Sequence, residues 1–144
     1  MNEKIIPLSY FNDLPEHTRG QDVLRYISMP ALLGEEKDTI MYFIGRDLAR
    51  RIEIEKLDDI IFLFKKFNWG ALELIKERKW ELEFHVMSDD VAQRMTSNFD
   101  IEYRLEAGFL AEAITKVMNR PCECIETINE RLYRVELKVT FVDG

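Results

Sequence analysis

From Tyr133 onward, Tyr133, Val135, Leu137, Val139 and Phe141 alternate with Arg134, Glu136, Lys138 and Thr140. Successive side chains of a strand point to opposite faces, so this period of two predicts a strand over Leu132–Val142 with one apolar face. Such a strand needs both a pairing partner and a cover. Cys122–Ile128 supplies the partner across the polar turn Asn129-Glu130-Arg131. The same pattern occurs earlier, where Leu72 and Leu74 precede the turn Glu77-Arg78-Lys79. Beyond that turn, Trp80, Leu82, Phe84 and Val86 alternate with Glu81, Glu83 and His85. Two hairpins, each with one buried face, can join into a four-stranded antiparallel sheet that is wet on the other side.

The cover comes from segments of period 3.6. A short helix is expected from Gln21, carrying Val23, Leu24 and Ile27, with Pro30 ending or kinking it. Asp38 or Thr39 caps the next helix, whose inward stripe reads Ile40, Phe43, Ile44 and Leu48. A third runs from Lys56 to Phe67 with Leu57, Ile60, Ile61, Phe64 and Phe67 on one face, and Gly70 offers a left-handed terminus. Ser88 caps a short helix with Val91 and Met95. Tyr103–Met118 then points Leu105, Phe109, Ala113, Ile114 and Val117 inward, until Pro121 stops it. The order is ααα-ββ-αα-ββ. Helices and hairpins in blocks, without βαβ alternation, argue an α+β fold with helices packed on one face of the sheet. Residues 1–20 read as an irregular N-terminal arm and residues 21–144 as a single domain.

The chain has 144 residues, a length that suits one domain with a real core. Its net charge of −7 makes duplex nucleic acid and anionic membrane poor default partners. The first twenty residues lack an apolar h-region and a cleavage site, so no signal peptide is expected. Apolar runs such as Ile60–Phe64 fall far short of the roughly 20 residues a span requires. A cytoplasmic location, with no membrane insertion, is the expectation.

No reaction is legible. Cys122 and Cys124 share a strand face, yet two thiolates are half a tetrahedral zinc site, and the histidines are His17 and His85. Small buried residues describe them more economically. Glu81, Glu83 and His85 are the polar positions of an alternating strand, where a wet face supplies no water exclusion. The acidic pairs Glu35-Glu36, Asp58-Asp59 and Asp89-Asp90 sit where caps and helix dipoles want them. Arg46, Arg50 and Arg51 are interleaved with Asp47 and Glu53 and read as a solvated face. No G-x-S-x-G, H-E-x-x-H, Walker A or G-x-G-x-x-G motif occurs. The expectation is therefore no enzyme, no catalytic residue, no metal and no cofactor.

Met29-Pro30-Ala31-Leu32-Leu33-Gly34 and Ile40–Arg50, with Phe67-Asn68-Trp69-Gly70 and Tyr103–Glu112, resemble the YslB-like family of uncharacterised bacterial proteins. The likeness spans roughly residues 20–142. It implies a fold related to four-vinyl-reductase domains, transport-particle subunits and haem–nitric-oxide sensors, which pack helices over a sheet around an internal ligand space. The vinyl-reductase cysteine pattern is matched only at Cys124-Ile125, and the histidine of the haem sensors has no counterpart. The resemblance thus implies architecture without a redox or haem role.

Two functions follow as expectations. One is a regulatory, non-enzymatic domain holding a small apolar ligand between helices and sheet, with Trp69, Trp80, Phe84 and Phe109 lining the pocket. The other is an interaction or adaptor module with a solid core. A homodimer is also expected, since Met41 and Tyr42 lie off the inward stripe and Tyr26, Met29 and Leu33 widen the apolar band. The arm, through Ile5, Ile6, Leu8 and Phe11, offers an alternative cover for that band.

Overall fold

The computed structural model of the chain describes residues 5–142. The arm is not wholly irregular: Leu8–Asp13 and Glu16–Thr18 are short 3-10 turns. Helix α1 (Arg19–Val23), a wide π turn (Leu24–Ser28) and α2 (Met29–Leu33) then follow without a break. Pro30 does not end the helix. The π turn lies one turn upstream, where a proline ring crowds the carbonyl four residues back. Gly34, at φ 61°, is what turns the chain away.

Helix α3 (Lys37–Arg50) begins before Asp38, which sits in its first turn rather than at the cap. Helix α4 (Leu57–Lys66) is fixed by Asp59, whose carboxylate accepts the backbone N–H groups of Glu55 and Lys56 at 2.9 and 3.1 Å. The left-handed residue after α4 is Asn68, at φ 59°, while Gly70 takes φ 131° beneath Val86 and Met87. Helix α5 (Asp89–Met95) has Ser88 as its cap, the hydroxyl accepting from Val91 N–H at 3.0 Å.

Strands β1 (Ala71–Glu77), β2 (Glu81–Met87), β3 (Cys122–Asn129) and β4 (Arg134–Phe141) form one antiparallel sheet in the order β1-β2-β4-β3. The hairpins join through β2 and β4, with Leu82 opposite Val139, Phe84 opposite Leu137 and Val86 opposite Val135. These six side chains are buried under the helices, so the period-two reading holds at the sheet centre. It fails at two turns. Trp80 stands before β2 and is 45% exposed, and Tyr133 adopts φ 53° and points outward.

Helix α6 (Arg104–Met118) is buried on every side from Glu106 to Ile114, because it lies between the sheet and α3. A single inward stripe therefore understates it. The inward face of α3 also differs from expectation. Met41 and Tyr42 are 5% and 9% exposed, whereas Phe43 and Ile44 are 60% and 45% exposed. Glycine decides the rotation. A Cβ on Gly45 would fall on the Leu105 carbonyl, and one on Gly108 on the Tyr42 carbonyl. The closest approach of the helices is thus backbone on backbone, and the face carrying Gly45 must turn inward. Met41, Tyr42 and Ala49 follow it, and Phe43 and Ile44 are left in solvent.

Candidate functional site

The turn after α4 positions an aromatic wall. Trp69 N–H donates to the Phe64 carbonyl at 2.8 Å, which folds the indole back onto the end of its own helix. Its ring meets Phe64, Phe67 and Phe109 edge-on, with centroids 5.1, 5.0 and 5.2 Å away. Opposite this wall runs the segment Thr18–Met29. Between the two lies a groove with two compartments that share Thr18, Gln21, Phe67, Asn68 and Trp69. The inner compartment, about 240 Å³, adds Leu24, Met29, Met41 and Leu105 as apolar walls. The outer one, about 510 Å³, adds His17 and Lys66 and is open to solvent.

The floor of the inner compartment is polar and fully paired. Arg94 Nε donates to Asp22 Oδ2 at 2.8 Å, and its Nη2 to the Thr18 hydroxyl at 2.8 Å. The Thr18 hydroxyl in turn donates to Asp22 at 3.1 Å. Arg25 grips two carboxylates of the α6 region, with Nη2 2.9 Å from Glu102 Oε1 and 2.6 Å from Glu106 Oε1. Lys37 reaches the same Glu102 at 2.6 Å. Burial raises the Glu102 carboxyl, but hydrogen bonds from Arg25 and Lys37 and the Arg25 charge outweigh it and hold the group at about 2. Tyr103, between the two arginines, is pushed up to about 12, chiefly by burial. Among the described residues, no buried side-chain polar atom lacks a partner.

The four expected pocket residues are separated. Trp69 lines the groove, and Phe109 stands behind it in the aromatic wall. Phe84 borders a different space, an apolar gap of about 90 Å³ between α4, α6 and the sheet, walled also by Leu57, Leu82 and Ile114. That gap is well below the roughly 300–1,000 Å³ of ligand pockets, so the space between helices and sheet is packed. Trp80 is at the far hairpin turn, with Lys79 and Arg120 over its ring. The expected dimer residues move too. Tyr26, Met41 and Tyr42 are buried within the chain's own fold, and Met29 and Leu33 are only partly exposed. Among its described residues, the arm leaves Phe43 and Ile44 of α3 exposed. Ile5 and Leu8 are exposed, while Tyr10 and Phe11 pack on Phe99.

Arg46, Arg50 and Arg51 each have a carboxylate: Arg46 pairs with Glu112 and Glu123, Arg50 with Glu112, and Arg51 with Asp47. Tyr42 donates to Glu123 at 2.6 Å and accepts the Cys124 N–H at 3.0 Å, so α3 closes part of the free edge of β3. Cys122 Sγ donates to the Ala111 carbonyl at 3.1 Å, and burial pushes both thiols up, away from the reactive thiolate. Among the described residues, no three His, Cys, Asp or Glu side chains gather as a metal site would require. Asp22, Arg25, Arg94, Glu102 and Glu106 were not identified from sequence. The available signal was Glu106, a carboxylate placed inside a helix otherwise rich in Ala, Leu and Phe.

Residues 18–140 match the family model described as "Protein of unknown function (DUF2507)". The uncharacterised protein YslB of Bacillus subtilis is 30% identical over 118 residues, covering 82% of this chain and 80% of its own length. The uncharacterised protein MJ1642 of Methanocaldococcus jannaschii is 24% identical over 110 residues, covering 73% of this chain and 64% of its own length. Among solved structures, a vinyl-4-reductase family protein of Methanocaldococcus jannaschii superposes with a TM-score of 0.60 at 19% identity, covering 98% of this chain and 85% of the other. An unliganded Fe(II) H-NOX variant from K. algicida gives 0.54 at 10% identity, covering 94% and 85%. These two likenesses establish the fold that the family resemblance implied. Among the described residues, no helix is long and apolar enough to cross a membrane.

Proposed function

The chain belongs to the DUF2507 family, and from that premise we propose that it is a regulatory, non-enzymatic domain that binds a small, largely apolar molecule in the groove beneath Thr18–Met29. One observation carries this reading: a partly enclosed compartment of about 240 Å³ has Trp69, Met41 and Leu105 in its walls and shares five lining residues with a larger, polar one beside it. Together they reach the range of small-molecule sites, which the helix–sheet gap does not. Binding rather than catalysis is supported by the state of the charges. Asp22 and Glu106 are each engaged by an arginine, Arg94 at 2.8 Å and Arg25 at 2.6 Å, whereas a general acid or base must be free to reach the reacting group. A cytoplasmic setting is part of the proposal, supported by Cys122 and Cys124 standing as free thiols.

Native mass spectrometry of the protein as purified tests the reading. The expected result is a discrete added mass, retained in Trp80→Phe and lost in Gln21→Trp, which plugs the wall shared by both compartments. Bare polypeptide in every preparation, with no uptake of added amphiphiles, overturns it.

A second reading, a protein-interaction surface, rests on a separate observation: Leu32, Phe43 and Ile44 are exposed on the outer side of the helical layer. A homodimer through this surface replaces the interface first expected around Met41 and Tyr42. Light scattering at micromolar concentration decides it. A mass near 34 kDa that falls to the 17.1 kDa of one chain in Phe43→Glu supports the dimer, and 17.1 kDa throughout removes it.

A further inference from the structure

The charges around the groove are unequally matched. In the inner compartment Arg94 faces Asp22, and Arg25 faces Glu106, so the lining charges cancel. The outer compartment is lined by Lys66 and His17 together with uncharged side chains, and no Asp or Glu lines it. Two carboxylates are hydrogen-bonded to this lining from behind without lining the compartment themselves: Asp90 accepts from the Asn68 carboxamide at 2.8 Å, and Asp22, already paired with Arg94, accepts from the Thr18 hydroxyl at 3.1 Å. The Lys66 ammonium stands over the Phe62 ring at 5.4 Å. In a chain of net charge −7, the side chains that line this compartment carry a formal charge that is positive, from Lys66.

Resting on the groove reading, we infer that the ligand is an amphiphile with a single anionic head: its apolar body occupies the inner compartment and its carboxylate or phosphate meets Lys66 at the entrance. The inner compartment disfavours a second charge, because its own ions are already satisfied and any further ion there is desolvated without a partner. The entrance selects the sign. Gln21, which lines both compartments, adds an amide donor at the junction between tail and head. An ammonium head meets like charge at the same place, and a neutral alcohol gains only hydrogen bonds.

The test is a titration of Trp80→Phe protein, in which Trp69 is the remaining tryptophan and reports from the groove wall. Decanoate, decyl phosphate, decanol and decylammonium are added below their micellar concentrations. The two anions are expected to bind most tightly, their ratio telling carboxylate from phosphate, with decylammonium weakest. Lys66→Gln weakens the anions about fivefold, the scale of one exposed ion pair, and leaves decanol unchanged. Lys66→Glu reverses the order of anion and cation. Equal binding of all four probes, or preference for decylammonium, overturns the inference and leaves the groove reading standing. Binding of none removes the groove reading, and this inference with it.

Discussion

Where α3 crosses α6, glycine meets backbone; where the segment Asp22–Arg25 approaches α5 and the start of α6, arginine meets carboxylate. The first contact excludes everything, because a single carbon on Gly45 or Gly108 has no room. The second leaves the groove open beside it and bridges the distance with long, charged side chains, Arg25 to Glu102 and Glu106, and Arg94 to Asp22. The energetics differ accordingly. A close-packed seam gains dispersion and burial at every atom and has no alternative arrangement. A buried ion pair gains little net, because desolvation offsets most of the Coulomb attraction, but it fixes position and punishes the loss of one partner. The seam gives α6 its place, and the clamps hold Asp22 and Arg25 beside the groove.

The largest expected effect comes from filling the seam. Gly108→Val puts side-chain atoms on the Tyr42 carbonyl, and neither helix can withdraw without uncovering Phe109 and Ile114. Overpacking costs about 1–3 kcal/mol where side chains can adjust. Here the obstacle is backbone, so the cost exceeds that range and competes with the whole stability of a domain, about 5–15 kcal/mol. Circular dichroism and expression yield are expected to show loss of folded protein. A soluble Gly108→Val variant with an unaltered melting temperature would mean that the helices do not meet at glycine.

The orientation of α3 at this seam is not legible in the sequence of the helix alone. Phe43 and Ile44 are large apolar side chains whose spacing reads as inward, but size does not decide which face of a helix can approach another most closely. Gly45 does, and its partner Gly108 lies 63 positions along the chain. The strands were legible because their signal is local: Leu82, Phe84 and Val86 need only each other's spacing to be read. Trp80 extended that spacing by one step too many into a turn. The clamps were illegible for the same reason as the seam, since Asp22 and Arg94 are 72 residues apart and either alone looks like an ordinary surface charge. Sequence places Trp69 in a pocket between helices and sheet; the groove it lines instead depends on a segment held by those distant charges.

The clamp nearest the groove gives an intermediate effect, one that an ordinary contact does not produce. Asp22→Ala leaves the Arg94 guanidinium buried with hydroxyls and no counter-charge, a change worth about 3–5 kcal/mol. The Asp22→Ala/Arg94→Met double variant removes the charge together with its partner and is expected to recover most of that loss in urea unfolding. Additive losses in the double variant would show that the two residues stabilise α1 independently, and the contrast with the seam would dissolve.

Acid separates the two regions with the smallest effect. Glu102 titrates at about 2 in the folded protein against an ordinary value of 4.5, so the folded state holds this proton less tightly than the unfolded chain. Its contribution is therefore complete above about pH 5, declines as the pH falls below 4.5, and is gone once the pH passes 2, a total of about 3 kcal/mol. Glu126, raised by burial beside Arg104, acts with the opposite sign and trims the loss. At the glycine contacts themselves the neighbouring atoms are backbone, so these contacts do not share this dependence. Pepsin, active in this range, is a direct probe: at pH 3 the first cuts are expected between residues 5 and 33, leaving α3 and α6 joined in a resistant fragment. Lys37→Met removes one of the cations that hold Glu102 down and should move the onset of cleavage to higher pH. Simultaneous cutting across α1, α3 and α6 would instead mean that the seam and the clamps open as one cooperative unit, with no weaker side facing the groove.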